Sequence, residues 1–381
     1  MERAFATIIV RSAVALAVTF ILYSASVVAQ SGRVQQTPTP TPADDTVRVT
    51  TEEIKLNVLA FDANGKFFSG VTENDLVISE NDRLHQPSSV RRLPANVLIL
   101  MDTGGELRSV KSLDKTRAVA RAVALALAPG DSVAVMQYSD KPEIVDEWTN
   151  DRSQTLNAIA RKTTFGRRSA FVDAIKMATD FLLRAPVENR HLVLITDGTD
   201  SQGRSSAKFD AFQRLMATDI SVHVLSYTLM ESGDIEPRTK GISNSPPPKA
   251  MPDEVAAGLP NGARDTATAP RAKTISLDRT LIRKLKSRKA DLEDAQERLE
   301  QLAESTNGEF ILPLSADEME MKASLVARMI DASYVVTYMP KIPVVETRGI
   351  AERIIDVMSK RPGLIVQARR KLLISKSGAK D

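Results

Sequence analysis

The chain has 381 residues, with 51 Lys plus Arg against 48 Asp plus Glu, a formal net charge of only +3. Hydrophobic residues make up 43% and charged residues 26%, the balance of a folded chain long enough for two domains. The near-neutral charge gives no reason to propose nucleic acid as a partner, and the lack of cysteine excludes disulfides, zinc-thiolate sites, iron–sulfur clusters and thiol nucleophiles. The three histidines (His85, His191, His223) lie far apart in sequence, leaving little scope for a histidine metal cluster or for His-based catalysis.

Residues 12–29 carry no charge, follow Arg3 and Arg11, and end in Val27-Val28-Ala29 before Gln30. A basic start, a short apolar core and a small-residue end describe a secretory signal peptide over 1–29, so the chain is expected to be exported, periplasmic or extracellular. An uncleaved membrane anchor is the alternative, since about 18 uncharged residues just span a bilayer. Residues 30–45, with TPTPTP, read as a stiff Pro/Thr-rich linker. A small β unit is expected over 46–93. IKLNVLAF (54–61) alternates, placing Ile54, Leu56, Val58 and Ala60 on one face. Asp62-Ala63-Asn64-Gly65 reads as a hairpin turn, and further short strands are expected at 76–78 and 89–93. Such a unit is too small to bury a sound core alone and is expected to pack on the domain C-terminal to it.

From residue 94 the pattern changes. NVLILMD (96–102), SVAVMQYS (132–139), HLVLITD (191–197) and SVHVLSYT (221–228) are apolar runs suited to strands buried on both faces. Between them, 109–128, 151–162, 170–184 and 206–217 read as helices. Strands alternating with helices predict an α/β domain over 94–340, a doubly wound, mostly parallel sheet with helices on both faces. Residues 229–277 hold seven of the nineteen prolines and read as a flexible insertion. Residues 278–303 read as a solvated surface helix, despite Leu281, Leu285, Leu292, Leu299 and Leu302. A strand at 308–313, a helix at 316–331 and the strand YVVTYMP (334–340) complete the domain. In 341–381, RIIDVM (353–358) and LIVQAR (364–369) around Arg361-Pro362-Gly363 read as a C-terminal β-hairpin followed by a tail.

In an open parallel sheet, functional groups gather at the carboxyl ends of the strands. Asp102 and Asp197 stand at two such ends, and the loop Gly166-Arg167-Arg168-Ser169 lies between them in sequence. Here the chain resembles the von Willebrand factor type A-like (VWFA) fold. That family's metal-ion-dependent adhesion site has an Asp-x-Ser-x-Ser loop, a Thr from a second loop and an Asp before Gly. Asp102 matches the first Asp, Ser169 takes the Thr position and Asp197-Gly198 matches the last. More narrowly, residues 46–370 are similar to a secreted group described in acidobacteria as VWFA-related.

The resemblance implies an exported binding or adhesion module that docks a protein partner on the sheet-top face and has no catalytic residues. It also implies a site for Mg²⁺ or Mn²⁺ with Asp102, Ser169 and Asp197 as metal ligands, to which Glu106 in the first loop adds a carboxylate as a fourth expected ligand. The site is degenerate, because Gly104 and Glu106 stand where the family has serines. Gly104→Ser with Glu106→Ser is therefore expected to strengthen cation binding. The plainer reading is that Asp102 caps the following helix and Asp197 holds its turn.

His191 and His223 are expected to be packed or surface residues, Asp200 a loop or cap residue, and Arg167-Arg168 a basic rim that attracts an acidic partner and repels a cation. Two alternatives stay open. One is an exported hydrolase with Asp102, Glu106 and Asp197 as acids and bases; the other is a structural envelope protein with a decayed site. No phosphate loop, dinucleotide fingerprint or nucleophile elbow occurs in the sequence.

Overall fold

Residues 53–105, 110–201, 205–243, 274–275, 278–342 and 350–375 are described by a computed structural model. The alternation of the first segment gives β1 (Ile54–Phe61), then β2 (Leu76–Glu80), β3 (Arg83–His85) and β4 (Ser89–Arg91). Next come β5 (Asn96–Asp102), α1 (Leu113–Ala126), β6 (Ser132–Tyr138), β7 (Pro142–Thr149), α2 (Arg152–Arg161) and α3 (Phe171–Arg184). The chain continues through β8 (Arg190–Thr196), α4 (Ser205–Met216), β9 (Ser221–Ser226), α5 (Thr228–Thr239), β10 (Ile242–Ser243) and β11 (Thr274–Ile275). It closes with α6 (Arg279–Ser305), β12 (Phe310–Ile311), α7 (Ala316–Asp331), β13 (Ser333–Tyr338), β14 (Ile350–Ser359), β15 (Ile365–Ala368) and β16 (Lys371–Ser375).

The α/β domain is built on a six-stranded sheet of order β12-β9-β8-β5-β6-β7, parallel except for the β7 edge. Successive side chains point to opposite faces, so each apolar run feeds two cores. Val97, Ile99, Met101, Val193 and Ile195 pack with Val119, Val123 and Ile159 of α1 and α2 and with Met319 and Val326 of α7. Leu98, Leu100, Leu192 and Leu194 pack on the other face with Phe171, Ile175 and Leu182 of α3, Phe212 of α4, and Leu299 and Leu302 of α6. Truncating one of these, as in Leu98→Ala, costs about 2–5 kcal/mol. Side-chain caps start the helices. Ser112, Asp151, Asp278 and Ser315 each accept backbone N–H bonds at the head of α1, α2, α6 and α7.

Three sequence expectations are corrected. The strand at 334–340 does not join the α/β sheet: β13 pairs antiparallel with β1, from Ile54 opposite Tyr338 to Leu59 opposite Ser333. Residues 353–358 and 364–369 do not form a hairpin, because β14 pairs with β2 and β16 whereas β15 pairs with β1. The front β unit and the C-terminal strands thus form one β-sandwich, with sheets β15-β1-β13-β4 and β16-β14-β2-β3. Leu56, Val58, Leu76, Ile78, Val336, Ile355 and Val357 fill its interior. The sandwich is closed by strands from both ends of the described chain, which solves the small unit's shortage of core.

The third correction concerns 229–303. Its beginning is the helix α5 and the short pair β10–β11, while 244–273 and 276–277 lie outside the described residues. Helix α6 is no solvated surface helix. Leu285, Leu292, Ala295, Leu299 and Leu302 are buried along one stripe against α5 and the sheet.

Candidate functional site

β5 and β8 are parallel neighbours, with Met101 beside Ile195, so Asp102 and Asp197 emerge side by side at their carboxyl ends. Both carboxyl groups are buried. Each spends one oxygen on its own loop. Asp102 Oδ1 accepts the Gly104 N–H at 3.0 Å, and Asp197 Oδ1 accepts the Thr199 N–H at 2.8 Å and the Thr199 hydroxyl at 2.6 Å. This is the turn-holding role expected of Asp197, while Asp102 closes a local turn rather than capping a helix.

The second oxygens face one another across an ammonium. Lys111 Nζ lies 2.8 Å from Asp102 Oδ2 and 3.1 Å from Asp197 Oδ2. Lys111 precedes Ser112, the cap of α1, and is only 3% exposed. A guanidinium completes the network. Arg288 Nη2 of α6 lies 3.1 Å from Asp197 Oδ2 and 2.8 Å from Glu231 Oε2 of α5, and Nη1 donates to Thr199 Oγ1 at 2.7 Å. Three carboxylates and two cations thus share one buried cluster.

Burial raises the Asp102 carboxyl to about 6 against the pull of Lys111. It raises Glu231 to about 7, helped by the Asp197 charge and opposed by Lys111 and Arg288. For Asp197, burial is outweighed by Lys111, Arg288 and the Thr199 hydrogen bonds, which hold it below the usual carboxylate range. Burial also works against the Lys111 ammonium, but Asp102, Asp197 and Glu231 overcome it, so Lys111 stays protonated.

The sequence-predicted ligands fare differently. Asp102 and Asp197 meet, with Lys111 between them. Ser169 is close by, but its hydroxyl donates to the Thr199 carbonyl at 3.1 Å, and its N–H donates to Ser201 Oγ at 2.8 Å. Glu106 lies outside the described residues. Gly104 is packed so closely that a Cβ there would sit 1.8 Å from the Arg168 carbonyl oxygen, so a serine cannot be restored without moving backbone.

A hard dication takes near-octahedral oxygen coordination at about 2.0–2.1 Å for Mg²⁺. The described donors do not fit that demand, because the two free carboxylate oxygens already hold an ammonium and the Ser169 hydroxyl faces a carbonyl. Among the described residues no group of three or more Asp, Glu, His or Cys is placed to hold a metal.

Asp200 acts as a cap, accepting the Val172 N–H at the head of α3. Arg167 and Arg168 are exposed beside the Ser169 loop. His191 and His223 are buried with their ring nitrogens 3.1 Å apart, and burial lowers both pKa values, so they are neutral packed residues.

Lys111, Glu231 and Arg288 escaped the sequence reading. Lys111 gives no signal, since a lysine before a helix cap ordinarily points to solvent. Arg288 did give one: positions 285, 288, 292, 295, 299 and 302 repeat at alternating spacings of three and four. On that stripe Arg288 is the only charged residue.

Residues 97–199 match the family model for the von Willebrand factor type A domain, a span that contains Asp102, Lys111, Ser169 and Asp197. The chain carries a VWFA-like domain. Among solved structures, it is similar to a von Willebrand factor type A protein from Catenulispora acidiphila at 13% identity, covering 86% of this chain and 74% of that one with a TM-score of 0.32. An aerotolerance-related membrane protein from Bacteroides fragilis is similar at 17% identity, with 62% and 98% covered and a TM-score of 0.37. The manganese-loaded TRAP protein of Plasmodium vivax is similar at 10% identity, with 77% and 97% covered and a TM-score of 0.36. No curated protein matches the sequence.

Proposed function

We propose that this chain is an exported VWFA-like binding or adhesion module that docks a protein partner on the face at the carboxyl ends of β5, β8 and β9, without doing chemistry there. One observation carries the reading. A cleft opens at that edge, walled by Gly105, Ser169, Thr199, Ser201, Arg288 and Asp291, over a floor whose charges are already paired. Ligands of open α/β sheets bind in such crevices. The exposed Arg167 and Arg168 give the rim a positive edge suited to an acidic partner surface.

The non-enzymatic part of the reading is supported by how the polar groups are spent. Ser169 Oγ donates to a carbonyl and so is not poised as a nucleophile, and Asp197, held ionised by two cations, has no proton to give as a general acid. The metal-assisted version, with Asp102, Glu106, Ser169 and Asp197 around Mg²⁺ or Mn²⁺, requires the Lys111 ammonium to leave both carboxylates. Export rests on the uncharged stretch 12–29 after Arg3 and Arg11. Among the described residues no helix is long and apolar enough to cross a membrane.

The absence of cysteine supplies the test, since any single introduced cysteine is unique. A photocrosslinker on Asp291→Cys, exposed at the cleft, is expected to capture a discrete adduct from cell-envelope extract that unlabelled protein competes away. The same probe on Leu84→Cys, which is 58% exposed on β3 of the sandwich, is expected to capture none. Equal labelling from both positions, or no competable adduct from Asp291→Cys, overturns the reading.

A further inference from the structure

We propose that Lys111 is the resident cation of the sheet-top site: its ammonium does the charge-neutralising work that a divalent ion would do between Asp102 and Asp197, and a metal site appears only when that ammonium is removed. The inference concerns what holds the site together and stands whether or not the face docks a partner.

The geometry is that of an enclosed counter-ion. Nζ forms an ion pair with Asp102 Oδ2 at 2.8 Å and donates a hydrogen bond to Asp197 Oδ2 at 3.1 Å, ammonium–carboxylate spacings rather than metal–oxygen distances. Two buried carboxylates this close repel strongly unless a cation lies between them, because the low-dielectric interior leaves their charges unscreened. Lys111 supplies that cation from within the chain.

A glycine loop lies against it. Gly104 packs against the Arg168 carbonyl with no room for a side chain, and a Cβ at Gly105 would stand 3.5 Å from Lys111 Nζ. Gly105 also has φ +133°, a conformation that side chains rarely adopt. The Gly-Gly pair that deletes a family serine therefore also brings the loop close over the lysine head. Arg288 supplies a second positive charge on Asp197, so a dication arriving with Lys111 in place would meet two fixed cations.

The test is thermal unfolding of the full chain, with Mn²⁺, Mg²⁺ or a chelator, in wild type, Lys111→Met and Lys111→Ala. The wild type is expected to melt at the same temperature in all three conditions. Either lysine variant is expected to melt well below wild type in chelator and to recover several degrees in Mn²⁺. Adding Asp102→Asn to Lys111→Met is expected to restore stability in chelator and to abolish the Mn²⁺ response. Where both single variants fail to fold, recovery in the Lys111→Met/Asp102→Asn double variant supports the counter-ion role. A Mn²⁺ or Mg²⁺ stabilisation of wild type overturns the proposal. So does a folded lysine variant that ignores Mn²⁺, or a double variant as unstable as Lys111→Met.

Discussion

Arg288 Nη2 lies 3.1 Å from Asp197 Oδ2, so a helix 91 residues downstream closes over the strand end that opens the site. The same guanidinium holds Glu231 of α5, which ties the described helices α5 and α6 to the carboxyl edge of the sheet. Helix α6, through Arg288 and Asp291, is thereby part of the site's wall.

Removing that tie is expected to be costly. Arg288→Ala leaves Asp197 and Glu231 facing each other with only Lys111 to neutralise them, and breaking a buried pair by deleting one partner costs about 3–5 kcal/mol. Arg288 is partly exposed, so the lower end is expected. Denaturant unfolding checks this, with Arg283→Ala, an exposed residue of the same helix, as a variant expected to change little.

The pH dependence has a definite sign. Burial lifts Glu231 from 4.5 to about 7, so the folded state binds that proton more tightly than the unfolded chain. The resulting stabilisation is fully present below about 4.5 and is lost as pH rises through about 7. Asp102, lifted from 3.8 to about 6, acts in the same direction at lower pH. Stability is expected to fall by about 2 kcal/mol between pH 5 and 8 through Glu231 alone. Glu231→Gln is expected to flatten that decline above pH 6, as unfolding free energies measured along a pH series will show.

Two glycine substitutions separate space from propensity. Gly104→Ser is expected to lower the melting temperature sharply and to add no Mg²⁺ response, since its Cβ would overlap the Arg168 carbonyl. Gly233→Ala, in α5 with nothing within 4 Å of the added Cβ, is expected to stabilise by about 0.5–1 kcal/mol. Differential scanning calorimetry reads both.

The sandwich makes a longer-range prediction. Deleting 343–381 removes β14, β15 and β16, which pair with β2 and β1 and cover Leu76 and Ile78. Amide hydrogen exchange is expected to lose protection across β1 and β2, nearly three hundred residues upstream, while β5 and β8 keep theirs.

The parallel sheet was legible because the centres of NVLILM and HLVLIT are unbroken apolar runs and each segment leads into an Asp, as suits strands covered on both faces. The same reasoning misplaced β13. YVVTY is equally apolar, but its two faces are covered by the sandwich interior and by the α/β domain, so burial on both faces does not by itself mean a parallel strand. The Arg361-Pro362-Gly363 turn signal was real, yet the strands on either side are claimed by different sheets, a choice made by distant partners that local sequence does not encode. At the site, the two aspartates were readable from strand ends; Arg288 was missed because its helix reads as a solvated one, although its place in an apolar stripe was a signal. Lys111 was not readable, because its partners are brought to it only by the fold.

The most direct measurement is a titration of Mn²⁺ into the wild-type protein followed by electron paramagnetic resonance, which separates free from bound ion. With Lys111 as the resident cation, the Mn²⁺ signal should stay that of the free ion, with no stoichiometric site. One bound Mn²⁺ per chain, lost in Asp102→Ala, would contradict the account and assign the site to a metal.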